Sequence, residues 1–148
     1  SQFGDYLTDT KPDLAIVTLG TNDAFAPKFD SVSVYESVDK IIDLIKSVNN
    51  NCSIIFTTPA ESYVKKATVN ANIPVVRNII KTVCKKHNVA CWDFYGIMAL
   101  DNPMQTWLDN ELAFNDKIHF TKPGYQLIAD MLYVAIMKGY EKYLIKLE

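Results

Sequence analysis

Two apolar, β-forming runs, LAIVTLG at 14–20 and CSIIFTT at 52–58, flank one amphipathic helical stretch, and that order restricts the chain more than any other feature. Each run is almost continuously apolar, the pattern of a strand covered on both faces in a parallel sheet. Between them Val34, Val38, Ile41, Ile42, Ile45 and Val48 recur at intervals of three and four, with Glu36, Asp39, Asp43 and Lys46 in between, which predicts a helix ended by NNN at 49–51. A second helix is expected with Pro74 in its first turn and Val75, Val76, Ile79, Ile80, Val83 and Cys84 facing inward, opposite Arg77, Lys81 and Lys85. VACWDF at 89–94 reads as a third strand. A last helix starts near Pro123, turns Leu127, Ile128, Met131, Leu132 and Ala135 inward, and breaks near Gly139.

Strand and helix therefore alternate, and the expected fold is α/β: a three-layer α/β/α arrangement with a parallel sheet, right-handed crossovers and helices on both faces. At 148 residues this is one domain, 1–148. In such folds chemistry belongs at the carboxyl ends of the strands. Those ends lead into 20–23, 58–62 and the long connection 95–122; 59–73 and 95–122 both exceed ordinary loop length and are expected to form rims over a site.

The net charge of −2, with no basic stripe, gives a nucleic-acid or anionic-membrane partner no electrostatic support. No apolar run approaches the roughly 20 residues that a membrane span requires. Cys52, Cys84 and Cys91 sit in or beside apolar segments without a Cys-x-x-Cys pair, as buried small side chains do. Asp93, Asp101 and Asp109 do not follow calcium-loop spacing, and His87 and His119 give no zinc pattern, so no metal and no cofactor are implied.

Two motifs meet at the strand ends. LGTND (19–23) leaves the first strand through Gly20, which allows a tight turn, and presents the short amide of Asn22, a donor suited to a developing oxyanion. Read alone it is ordinary turn chemistry. DKIH (116–119) sets Asp116 three residues ahead of His119, close enough in a turn for the carboxylate to hold one ring nitrogen while the other takes a proton, though spacing alone fits equally a surface Asp and His that never touch. Asp23 is expected to brace the loop, His87 to cap its helix through the last carbonyls, and Trp92 to lie in the core. Phe25, Tyr63, Trp107 and Phe114 are edge-loop aromatics with equal claims as pocket lining or packing anchors.

Gly-Thr-Asn-Asp after a buried strand and Asp-x-x-His before the last helix, in that order, resemble the SGNH hydrolases, the GDSL-type esterase and lipase superfamily. The resemblance runs over nearly the whole chain and implies a flavodoxin-like sheet, with Asn22 donating to the oxyanion, Gly20 shaping its loop, and Asp116 and His119 as orienting carboxylate and base. It implies a carbohydrate or lipid O-acyl or acetyl esterase acting on a small-molecule or polysaccharide ester, and the wording TLGTNDAF and TTPAES looks most like members that remove acetyl groups from polysaccharides outside the cytoplasm.

The chain departs from that family in two respects, lacking both the nucleophile block and the later block whose Gly supplies a second oxyanion donor. The family's Gly-Asp-Ser block is absent: the sole Gly-Asp, Gly4-Asp5, precedes Tyr6. The chain thus reads as the carboxyl part of such a domain, without its first two strands and nucleophile. The edge of strand 14–20 is then expected to be covered by another chain or an upstream segment. Ser31, Ser33, Ser37, Ser47 and Ser53 belong to helices or a strand start. Ser62 sits at the right edge but lacks a Gly-flanked nucleophile turn, so Ser62 and Tyr63 are read as substrate contacts. A non-catalytic binding domain and an O-acyltransferase using the same site are the alternatives.

Overall fold

The computed structural model describes residues 2–98 and 102–146. Its centre is a parallel sheet of β1 (Leu14–Thr18), β2 (Ser53–Thr57) and β5 (Ala90–Trp92), in the order β1-β2-β5. Leu14 pairs with Ser53 and Thr18 with Thr57, while Ile55 pairs with Ala90 and Thr57 with Trp92. The three strands are those the apolar runs predict, each shorter by one to three residues at its ends.

Alternation sorts the two faces. Ile54 and Phe56 turn to the side filled by α3 (Ser31–Val48) and α4 (Asn72–His87), where Val38, Ile42, Val76, Ile80 and Val83 are fully buried. Burying each such side chain stabilises the fold by about 1.5–3 kcal/mol. α1 (Gln2–Thr10) adds Leu7 to this core; Gly4 and Asp5 lie inside that helix, not in a strand-to-turn block. On the opposite face Ile55 and Trp92 meet Ile128, Met131 and Leu132 of α7 (Lys122–Ile145), together with Phe94, Met104 and Phe120.

Four expectations are corrected. β1 is not covered on both faces: Ala15 and Val17 join the α3–α4 core, but Leu14 and Ile16 are 46% and 47% exposed. Cover on that side comes from α7, whose inward residues cluster with β2 and β5. In α4 the inner stripe is led by Ile73 and Val76, and Val75 is exposed. α7 runs through Gly139 without a break, because a lone helical glycine costs only about 1 kcal/mol and no proline or capping turn stands near it. Within α7, Leu127 and Ala135 are exposed too.

The long connections carry structure of their own. Residues 59–73 hold a β-hairpin, β3 (Tyr63–Val64) with β4 (Thr68–Val69). Two further helices, α5 (Phe94–Met98) and α6 (Pro103–Asp109), follow β5, and α2 (Thr21–Ala24) follows β1.

Candidate active site

Residues 114–121 form a tight turn closed by backbone bonds from Phe114 N to His119 O (2.8 Å) and from Lys117 N to Phe114 O (2.9 Å). Lys117 takes the left-handed conformation, φ 58, that lets the chain double back. Asp116 shapes this turn and orients the histidine at once. Its Oδ1 accepts the amides of Ile118 and His119, both at 2.9 Å, and its Oδ2 lies 2.8 Å from His119 Nδ1. Burial pushes the Asp116 carboxyl up, but the amide and ring of His119 and the amide of Ile118 outweigh it, so the group is held below its ordinary value and stays ionised. Among the described residues His119 Nε2 has no hydrogen-bond partner, and the ring is largely exposed. The geometry is that of a base with one nitrogen held by a carboxylate and the other free for a proton.

Behind this turn the LysProGly step is explained by packing. Thr121 caps α7, its Oγ1 accepting Gly124 N at 3.2 Å and donating to Glu111 O at 2.7 Å, and Thr121 N donates to Leu112 O. Gly124 then lies against the 111–113 segment so closely that a Cβ would stand 1.9 Å from Leu112 O.

Gly20 and Asn22 stand at the end of β1. Gly20 has φ 107, and a Cβ there would meet Val76 Cγ1 at 2.6 Å, so the turn out of β1 requires glycine on both counts. Asn22 lies in α2, exposed, with no side-chain hydrogen bond among the described residues, and none joins it to His119. Asp23 is exposed and does not brace the loop through its side chain. That role falls to Asn70 and Asn72, whose amides donate to Ala24 O at 3.1 and 3.0 Å. Neither was singled out by sequence reasoning; Asn-x-Asn just before a helix is a capping signature that marks the spot, and Asn70 Oδ1 indeed accepts Asn72 N.

These connections are joined to one another. Asn70 N donates to Ser62 O (2.8 Å), and Tyr63 N donates to Lys117 O (3.1 Å), so the loops after β1, after β2 and before α7 form one linked rim. Ser62 is 1% exposed, so its side chain does not face solvent, and its Oγ has no partner among the described residues; Tyr63 is half-buried, with Lys117 Nζ 4.6 Å from its ring centre. Burial, and then the charge of Glu61, push the Tyr63 hydroxyl up. Asn70→Ala removes a buried bond from the base of α2 and should lower stability by about 1–3 kcal/mol in urea melts. Its Tyr63 and His119 amide resonances should shift with it.

Two further charged clusters, around Asp93 and Asp39, are braces. Asp93 takes a two-pronged bond from Arg77 (2.8 and 2.6 Å), one from Lys81 and one from the Thr58 hydroxyl, which fixes the ends of β2 and β5 on α4. Arg77 above all holds the Asp93 carboxyl well below its ordinary range. His87 does not cap carbonyls; its Nε2 is 2.6 Å from Asp39 on α3. Trp92 is in the core, stacked on Phe94, and Trp107 packs edge-on against Phe94 and Phe120 as an anchor. Asp101 lies outside the described residues.

Residues 1–127 match the GDSL-like lipase/acylhydrolase family. The chain belongs to that family. Among solved structures, this acylhydrolase-family chain is similar to a peptidoglycan O-acetylesterase at 22% identity and a TM-score of 0.86, over 93% of this chain and 41% of the other. It is also similar to a lipase/acylhydrolase from Enterococcus faecalis (21% identity, TM-score 0.71, 94% and 68% covered). An acetyl xylan esterase matches with a TM-score of 0.73 at 18% identity, over 91% and 72%. At these identities the likeness is one of fold. The chain spans less than half the length of the first of these structures. No curated protein matches the sequence. No helix among the described residues is long and apolar enough to cross a membrane.

Proposed function

We propose that this acylhydrolase-family chain supplies the acid–base and oxyanion half of an ester hydrolase whose nucleophilic serine lies outside it. The observation that carries this is the 2.8 Å contact between His119 Nδ1 and Asp116 Oδ2, with Nε2 free of any partner among the described residues. In the proposed reaction Nε2 takes the proton of the serine hydroxyl as its oxygen attacks the ester carbonyl. The Asn22 amide meets the resulting oxyanion, with Gly20 setting its loop. Collapse releases the alcohol, which takes the proton from the imidazolium, and water then cleaves the acyl-serine by the same steps. Tyr63 is proposed as a contact for the substrate. The substrate class that fits best is an acetyl ester on a polysaccharide, acted on outside the cytoplasm, in line with the esterases of like fold.

The open edge of β1 supports the placement of the missing group. Leu14 and Ile16 on its outer face are half exposed, and β2 is its sole partner in the sheet among the described residues, so its other edge carries backbone groups that a further strand can pair with. The test is expression with the coding sequence upstream of Ser1 included. Alone, the chain should be almost inert toward a small acetyl ester. A longer chain carrying a strand and a Gly-Asp-Ser turn should cleave it, and amide exchange along 14–18 should slow. A longer chain that carries this block, folds and stays inert would overturn the reading.

A further inference from the structure

The hairpin β3–β4, joined at its foot to the Asp116–His119 turn by Tyr63 N to Lys117 O, has an unusual tip. Ala67 N donates to Val64 O at 3.2 Å, closing a turn whose two central residues, Lys65 and Lys66, have φ 51 and 63. Two successive positive φ angles are the requirement of a type I′ turn, where Asn-Gly fits without strain. This chain spends two lysines there instead. Lys117, in the catalytic turn, is left-handed as well, and its backbone oxygen holds the foot of the hairpin at Tyr63. The tip is two residues beyond Tyr63, roughly 7 Å along the strand.

None of the three lysines has an acidic partner among the described residues; other lysines share that, but these three lie on the hairpin and turn that adjoin His119. The nearby carboxylates cannot neutralise them: Glu61 is buried with Oε1 on Met104 N, and Asp116 is engaged by His119 and Ile118. A chain with a net charge of −2 therefore keeps three lysines without acidic partners near its candidate base, Lys65 and Lys66 exposed and Lys117 with its Nζ over the Tyr63 ring, on backbone that disfavours the residues carrying them. Lys11 and Asn88 are left-handed too, away from this rim, so what singles out these lysines is backbone strain together with their place next to His119.

We infer that Lys65, Lys66 and Lys117 form a subsite for negative charge on the non-acyl part of the substrate, so that the ester cleaved sits on a polyanionic glycan bearing carboxylate or phosphate groups. This rests on the ester-hydrolase reading for what the ligand is part of, but binding can be measured without catalysis. The probes are an acetylated oligogalacturonate, an acetylated glycerol-phosphate oligomer and a neutral acetylated xylo-oligosaccharide, titrated calorimetrically into the chain at two salt concentrations.

One or both anionic probes should bind about tenfold or more tightly than the neutral one, with affinity falling as salt rises. The two anionic arms show whether carboxylate or phosphate is preferred. The double variant K65N/K66G removes the charge while giving the turn its favoured residues. It should lose that advantage without losing thermal stability, and K65R/K66R should retain it. Equal affinity for the neutral probe, or anion binding unchanged in K65N/K66G, overturns the inference. Loss of cleavage in the longer enzyme with anion binding intact would count against the esterase reading alone.

Discussion

In the serine-containing form of the enzyme, His119→Ala should lower kcat by roughly 10⁴-fold or more, about 5.5 kcal/mol of barrier, with KM little changed. The expectation follows from what the ring alone does. Asp116 holds Nδ1 and is kept ionised by two backbone amides and the ring, and Nε2 is the free nitrogen at the rim. No other histidine substitutes: His87 is held against Asp39 on α3. The measurement is single-turnover cleavage of an acetyl ester, and activity equal to the parent would remove the base assignment. Asp116→Asn sharpens the test, because an amide oxygen can still accept the Ile118 and His119 N–H groups while the opposed NH₂ cannot accept the ring proton. That variant should fold normally and still lose most of kcat through the wrong tautomer.

Gly124→Ala should cost about 3 kcal/mol or more of folding stability, the larger of the structural effects. The added methyl would fall 1.9 Å from Leu112 O and 3.2 Å from Phe120 Cβ, and the first of these is backbone with nowhere to rotate. Relief requires α7 to lift from the 111–113 segment. That would break Thr121 N to Leu112 O and loosen the bridge between Ala113 and Phe120 that frames the histidine turn. The same substitution at Gly139, where nothing lies within 4 Å, should instead stabilise by about 0.5–1 kcal/mol. Opposite signs in paired urea melts check the argument; equal small effects would refute the packing at Gly124.

The difference between these two glycines shows where the sequence was readable. β1, β2, β5, α3 and α4 announce themselves because apolar periodicity is set by burial against whole elements, which many residues report together. The Asp116–His119 contact was legible because both partners lie within one turn. Gly124, Asn70 and the Arg77–Asp93 brace were not, since each meets a neighbour 12 or more positions away that no local pattern names. The helices α1 and α2 and the hairpin escaped for a different reason. Two are too short for a period to show, α1 gains only Leu7 as a buried anchor, and the hairpin turn is built from residues that do not advertise a turn. The half-open face of β1 was hidden because an apolar run looks the same whether or not its cover is present.

The rim that carries the candidate site is stitched largely from main-chain atoms: Ser62 O to Asn70 N, Tyr63 N to Lys117 O, Phe114 N to His119 O. Such stitches are indifferent to the side chains borne by the residues they join. Substitution at 63 and 117, or at 65 and 66 in the tip they support, can therefore retool recognition while the proton-handling pair stays in place. A scaffold of this kind is well suited to diverging toward new esters by small steps.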